Sequence, residues 1–448
     1  MLKKIKILLS LAILFSACQT KDATQNVSNA PTPEWSESAI IYEVNTRQYS
    51  EEGTFEAFAE SLPRLKELGV DILWFMPIHP IGEKNRKGTL GSYYSISDYR
   101  GINPEFGDIE DFKKIVEESH ELGMKVIIDW VANHTAWDHS WIDTNPEFYE
   151  KDSVGEIFAP YDWEDVAQLD FTNNELRKAM IADMRYWIEE INIDGFRCDV
   201  AGMVPVDFWE TARKELEEVK EIYMLAEDES ELDLLNNAFN SNYGWEIHHI
   251  MNDVAKGEKN ALDIIAYFEK IEKEYPAGSY PMQFTTNHDE NSWNGTTEER
   301  MGVSKNTFAA LTFVMEGIPL IYSGQEAGLD KRLEFFEKDE INWENLETSE
   351  LYQKLTKLKK DNKALWNGNA GGKMNFISSS ESEKVLSFSR EKDNNKVTVI
   401  FNLSNEELTV KLDTLVDEGV VNYCNSEELK EATSEFNLEA WGYLIFTN

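Results

Sequence analysis

From Ala39 onward, short apolar runs alternate with stretches whose apolar positions recur every three to four residues, and this alternation predicts most of the fold. Ile40–Thr46 reads as a strand, and a helix over Phe55–Leu68 closes on Gly69. Val70–Met76 is a second strand, stopped by Pro77, and a helix over Ile109–Leu122 closes on Gly123 before a third strand, Met124–Trp130. After the helical run Glu175–Glu190 come Gly195–Val200, Ile222–Ala226, a weaker segment at Ala238–Asn242, Met282–Thr286 and Ile318–Tyr322. Near-continuous apolar strands, each followed by a helix, argue for parallel strands covered on both faces. Eight of them fit an α/β (β/α)8 TIM barrel, and a doubly wound open sheet is the alternative from pattern alone. Two departures stand out. A Trp-, Asp- and Pro-rich excursion over 134–172 predicts a short loop domain inserted after the third strand. After a last helix over Glu350–Lys360, alternating strands at Val385–Arg390, Lys396–Leu403, Leu408–Leu412 and Gly442–Phe446 predict a C-terminal antiparallel β-sandwich domain. The expected units are a barrel over 35–365, with the loop domain inside it, and a β domain over 366–448.

Composition narrows the partners. The 448 residues are 42% hydrophobic and 12% aromatic, enough to fill a large core, and 13 Trp with 17 Tyr suit the flat apolar faces of sugars as well as barrel packing. Against 43 basic residues stand 83 acidic ones, a formal charge of −40, which repels a phosphate backbone and argues against nucleic acid as a partner. A neutral substrate loses nothing to that field. The N-terminus reads as an address: three lysines within Met1–Lys6, an apolar run over Ile7–Ala17 too short to span a bilayer comfortably, then Ser16-Ala17-Cys18. Small residues before a cysteine resemble a bacterial lipoprotein signal over 1–18, with Cys18 lipidated, a polar tether over 19–34, and the protein exported and anchored to a membrane, the outer one expected, facing the periplasm or the cell surface. Beyond it only Cys198 and Cys424 remain, which predicts no disulfide framework.

In a barrel of this kind the chemistry sits at the C-terminal ends of the strands. The third strand ends Asp129-Trp-Val-Ala-Asn133-His134, the fourth Arg197-Cys-Asp199, the fifth on Glu227, and the seventh runs into Asn287-His288-Asp289. Arg197 and Asp199 are two apart and leave the same face of their strand, where the guanidinium would hold the carboxylate ionised and oriented. A single strand-end acid is often a helix cap and a single ion pair is often structural. Polar groups at the same end of four strands point instead to a shared site.

These four segments resemble the conserved regions of the α-amylase family, glycoside hydrolase family 13, in the family's order. Gly91-Ser-Tyr-Tyr94-Ser-Ile-Ser-Asp98-Tyr resembles its motif after the second strand, and the similarity runs from Trp35 to the end of the chain. The resemblance implies an enzyme that cleaves α-glucosidic bonds, mainly α-1,4, in starch-derived glucans or maltooligosaccharides. Asp199 would be the nucleophile, Glu227 the general acid and then base, and Asp289 the third carboxylate, which binds sugar hydroxyls. Arg197 would orient Asp199, His134 and His288 would hydrogen-bond the reacting glucose, and Tyr94 would stack on its apolar face. A nucleophile paired with an acid implies net retention.

The chain departs from the family pattern in places. Gly202-Met203 stand where many members carry Lys-His. Gln168 replaces an Asp of the calcium-binding members, although their ligand Asn133 is retained, which puts the usual structural calcium in doubt; no cofactor is implied for the chemistry itself. Arg332 lies where the family often has a sugar-binding Arg. Two rival readings stand beside hydrolysis: transglycosylation through the same covalent intermediate, and a non-catalytic glucan-binding lipoprotein.

Overall fold

A computed structural model describes residues 27–346 and 348–448. The expected lipoprotein signal, with Cys18, and the first part of the tether lie outside the described residues. Eight parallel strands close into a barrel: β1 (Ile41–Val44), β2 (Ile72–Phe75), β3 (Lys125–Trp130), β4 (Gly195–Cys198), β5 (Tyr223–Ala226), β6 (Ser241–Tyr243), β7 (Tyr280–Gln283) and β8 (Ile318–Tyr322), each beside its neighbours in sequence, with β8 returning to β1. The open-sheet alternative is thereby excluded.

The apolar runs are continuous because each strand is buried on both faces. Ile41, Ile72, Trp74, Ile127, Leu225, Met282 and Leu320 fill the barrel interior. Their alternates Tyr42, Leu73, Phe75, Ile128 and Phe196 face the surrounding helices. The helix expected over Phe55–Leu68 is two, Phe55–Ala59 and Leu62–Leu68, because Pro63 in the first turn of the second cannot donate its backbone to a continuous ladder. Gly69, at φ 95°, ends the second in the left-handed conformation.

Within the insert, His134–Ala136 pairs antiparallel with Val166–Gln168. The C-terminal domain sets a six-stranded antiparallel sheet against a two-stranded one, Leu408–Val416 with Thr433–Leu438, and Val385, Ile400, Val410, Leu412, Phe436 and Phe446 lie between them. The strand Thr433–Leu438 was not anticipated, since its polar alternates give Thr-Ser-Glu-Phe-Asn-Leu a weak apolar signal. Arg390 ties this domain to the barrel: fully buried, it donates to the carbonyls of Val314, Met315, Trp366 and Gly372. Cys198 is buried and Cys424 exposed, and both are free. Among the described residues no helix is long and apolar enough to cross a membrane.

Candidate active site

Register builds the centre of the site. Asp129 on β3 lies beside Arg197 on β4, and both side chains point into the upper barrel. Arg197 has no solvent exposure and is shared among three acids. Its Nη1 donates to Asp129 Oδ1 at 2.8 Å and to Asp199 Oδ1 at 3.1 Å, and Nε donates to the Tyr243 hydroxyl at 3.1 Å. Its Nη2 lies 3.0 Å from Glu227 Oε1, an ion-pair contact outside hydrogen-bond alignment. One guanidinium therefore reaches the two expected reacting carboxylates and the acid behind them.

Immediately after Asp199 the chain turns sharply. Val200 sits at φ 38°, ψ 47°, a left-handed conformation costing a β-branched residue about 1–2 kcal/mol. The turn aims the Val200 N–H at Glu227 Oε2, 2.8 Å away, so strained backbone positions the acid relative to its neighbour.

Burial governs the protonation of this cluster. Desolvation pushes Glu227 up to about 8; Arg197 opposes the shift, and the charges of Asp199 and Asp289 reinforce it. The like-charge repulsion of Asp199 and Asp289 is the smaller part. Asp199 is raised to about 6, again by burial first, with Arg197 pulling it back and Asp129 and Asp289 pushing it up. The guanidinium thus limits a rise that desolvation would otherwise make larger, rather than holding the carboxyl at its ordinary value.

The β7 end carries a second relay. His288 Nδ1 lies 2.5 Å from Glu43 Oε1, and its Nε2 lies 2.6 Å from the Tyr94 hydroxyl and 3.4 Å from Asp289 Oδ2. Although burial lowers it, the charges of Asp289 and Glu43 lift His288 to about 9, so both ring nitrogens are donors at neutral pH. Tyr94 accepts from Nε2 and donates to Asp129 Oδ2 at 3.2 Å, while its ring stacks on His288. His134, by contrast, is pushed down to about 4 by burial and is neutral; Asn133 lies beside its Nδ1, and its ring meets Trp163 edge-on.

A cavity of about 590 Å³ opens on this cluster, lined by Tyr94, His134, Asp199, Glu227 and Asp289 and by the aromatic rings of Trp163, Trp293, Phe335 and Phe336. Arg197 and His288 support these groups from beneath. Arg332 lies outside the cavity, bonded through Nε and Nη2 to Glu299 at 2.7 and 3.2 Å. Sequence reasoning missed Glu43, Tyr243 and the four rings. Glu43 had a legible signal, a charged residue inside an apolar strand; the rings had none.

The two departures have physical reasons. A Cβ at position 202 would come 2.2 Å from Asp228 Oδ2, so Gly202 is matched to Asp228 and a lysine does not fit the loop as built. At the root of the insert, Gln168 Nε2 donates to Asn133 O, Asn133 Oδ1 and Leu169 O at 3.1, 3.0 and 3.2 Å. An N–H donor sits where these oxygens converge, and the donor set does not fit a calcium ion, which requires several anionic or carbonyl oxygens. Among the described residues no group of three or more His, Cys, Asp or Glu side chains is placed to hold a metal.

A raised acid beside a lower-pKa carboxylate, at the C-terminal mouth of a (β/α)8 barrel, is the arrangement of a glycosidase. Comparison with known proteins gives the family. The profile described as "Alpha amylase, catalytic domain" matches residues 28–154 and 147–398, and "Maltogenic Amylase, C-terminal domain" matches 374–445. The chain belongs to the α-amylase family. The crystal structure of a noncanonic maltogenic α-amylase, AmyB from Thermotoga neapolitana, superposes with a TM-score of 0.84 at 33% identity, over 92% of this chain and 98% of that one. The α-amylase MalA of Haloarcula japonica is 25% identical over 396 residues, 85% of this chain but only 57% of that protein's length. An α-1,4-glucan:maltose-1-phosphate maltosyltransferase from Salinibacter ruber is 32% identical over 241 residues, 47% of this chain and 35% of that protein.

Proposed function

We propose that the protein is a retaining glycoside hydrolase acting on α-1,4-linked glucans or maltooligosaccharides. The observation that carries the reading is the single guanidinium of Arg197 joining Asp199 and Glu227, whose protonation ranges differ in the direction the chemistry needs. Asp199, ionised above about pH 6, attacks the anomeric carbon as the bond to the leaving oxygen breaks. Glu227, protonated below about pH 8, gives its proton to that oxygen. In the second step Glu227, now a carboxylate, takes a proton from water; the water oxygen displaces Asp199 from the sugar, and the configuration is retained. Asp289 binds hydroxyls of the reacting glucose, with Tyr94 beneath its apolar face and the protonated His288 holding both from below. The maltogenic relative and the aromatic lining support glucan as the substrate.

The test is reducing-sugar release from soluble starch, with the anomeric form of the first product read by NMR. Release of the α-anomer by the wild type, and loss of release in Asp199→Ala, is the expected result; retained activity in the variant removes the assignment. A second reading, transfer of the glycosyl unit to another sugar, is favoured by the similarity to a maltosyltransferase. Chromatography of the same reaction separates the two, since transfer makes products longer than the starting oligosaccharide.

A further inference from the structure

We propose that the cleft is walled off on the glycone side, so that chains are attacked from their non-reducing ends and not internally. This rests on the roles just given to Asp199 and Glu227, and it adds the direction of attack.

The direction follows from topology. Glu227 follows β5, and in a closed eight-stranded barrel β5 stands across from β1. The leaving oxygen must face Glu227, so the aglycone lies toward β5 and the remainder of the glycone extends toward β1. The rim is uneven around this axis. After β4, β5 and β6 the chain re-enters a helix quickly, at Val206, Leu234 and Trp245. After β2 and β8, the two strands that flank β1, it makes the long excursions 76–108 and 323–348, while the insert, after β3, stands midway between the two sides. The low rim is on the leaving-group side and the high rim on the glycone side.

The high rim is also cross-tied into one wall. The segment 83–91, from the β2 excursion, is fixed to the insert by the Lys87–Asp165 ion pair at 3.0 Å and by Asp138, which accepts from the Glu83 and Lys84 backbone N–H groups at 2.7 and 3.2 Å. The same segment is fixed to the β8 excursion, where Leu90 N–H donates to Phe336 O at 3.0 Å and Thr89 N–H to Glu337 Oε1 at 2.7 Å. Gly88 makes the approach possible: it sits at φ +63°, and a Cβ there would stand 2.5 Å from Phe336 Cβ. Beneath the junction Arg47, 1% exposed, donates to the carbonyls of Leu90, Gly91 and Phe335. Buried charged donors on several carbonyls make a stiff joint, because each bond lost would strand a desolvated charge. Phe335 and Phe336 have the catalytic cavity on one side and a separate surface groove on the other, and so form a partition between them.

Two substrates of equal length test this, maltoheptaose with a free non-reducing end and maltoheptaose whose terminal glucose carries a 4,6-O-ethylidene acetal. A blind wall rejects the added bulk, and cleavage of the blocked chain is expected to be about 100-fold slower, with one short product dominating early from the free chain. Comparable rates on both, with mixed early products, overturn the wall and leave the glucosidase reading standing. Cleavage of neither overturns both. In the double variant Lys87→Ala/Phe336→Ala the ratio of blocked to free rates is expected to rise about tenfold; a general loss of packing would lower both rates and leave their ratio unmoved, which would refute the role of these loops.

Discussion

Glu227→Gln isolates the proton that the proposed mechanism needs. Glutamine has the shape of the protonated acid, can still accept from the Val200 N–H, and adds no charge beside Asp199 and Asp289, so the fold and the nucleophile should be undisturbed. What it lacks is a proton to give. General acid catalysis is worth about 10²- to 10⁴-fold, or roughly 3–5 kcal/mol of barrier. Turnover of a maltooligosaccharide, whose leaving alcohol needs that proton, should fall by about this factor. A maltosyl fluoride, whose leaving group departs unassisted, should still glycosylate Asp199; deglycosylation then stalls because the base is missing too. Stopped-flow measurement should therefore give a fluoride burst of one equivalent per enzyme followed by a slow steady state. The pH dependence makes the argument sharper. In the wild type, kcat/KM should rise as Asp199 ionises through about pH 6 and fall as Glu227 loses its proton through about pH 8. The burst rate of Glu227→Gln should keep the acid limb and lose the alkaline one. An equal loss on both substrates, or an alkaline limb that survives the substitution, would show that Glu227 is not the acid.

Arg197→Met should destabilise the protein by about 3–5 kcal/mol in urea denaturation, because it strands Asp129 and Asp199 in a fully buried site, and it should move the acid limb of any residual activity to higher pH; a loss below about 1 kcal/mol would mean that the carboxyls are not held by this guanidinium. Chelation with EDTA should leave the thermal midpoint and the activity unchanged, because Gln168 Nε2 supplies the donor at the root of the insert, whereas Gln168→Ala should lower the midpoint by removing those bonds. A fall in midpoint on chelation, restored by calcium, would overturn that reading.

Much of this protein was legible before any coordinates. Most of the eight strands follow from short apolar runs, since a strand buried on both faces leaves little room for polar side chains, whereas β6, Ser-Asn-Tyr at 241–243, has no such run and meets the expected Ala238–Asn242 at only two residues. The candidate carboxylates follow from the strand ends, because that is where side chains leave the barrel's packed interior and reach a mouth. Asp129, Arg197, Asp199, Glu227, His288 and Asp289 could each be read this way from their own segment. The insert, too, announced itself by length and composition.

Only the folded chain decided the rest, because the deciding contacts join residues far apart in sequence. Glu43 becomes the partner of His288 when β1 closes against β8, across 245 positions of sequence. The pKa order of Asp199 and Glu227 is set mainly by desolvation, a property of everything packed around them and of no local motif. Gln168 could be seen as a missing ligand, but its bonds to Asn133 belong to the tertiary structure. The excursions after β2 and β8 carry no periodicity, so nothing in their residues foretold that Arg47 would fasten them together or that Lys87 would tie the first of them to the insert. Periodicity reports which face of an element is buried, whereas a wall made of loops exists only through the specific bonds between them.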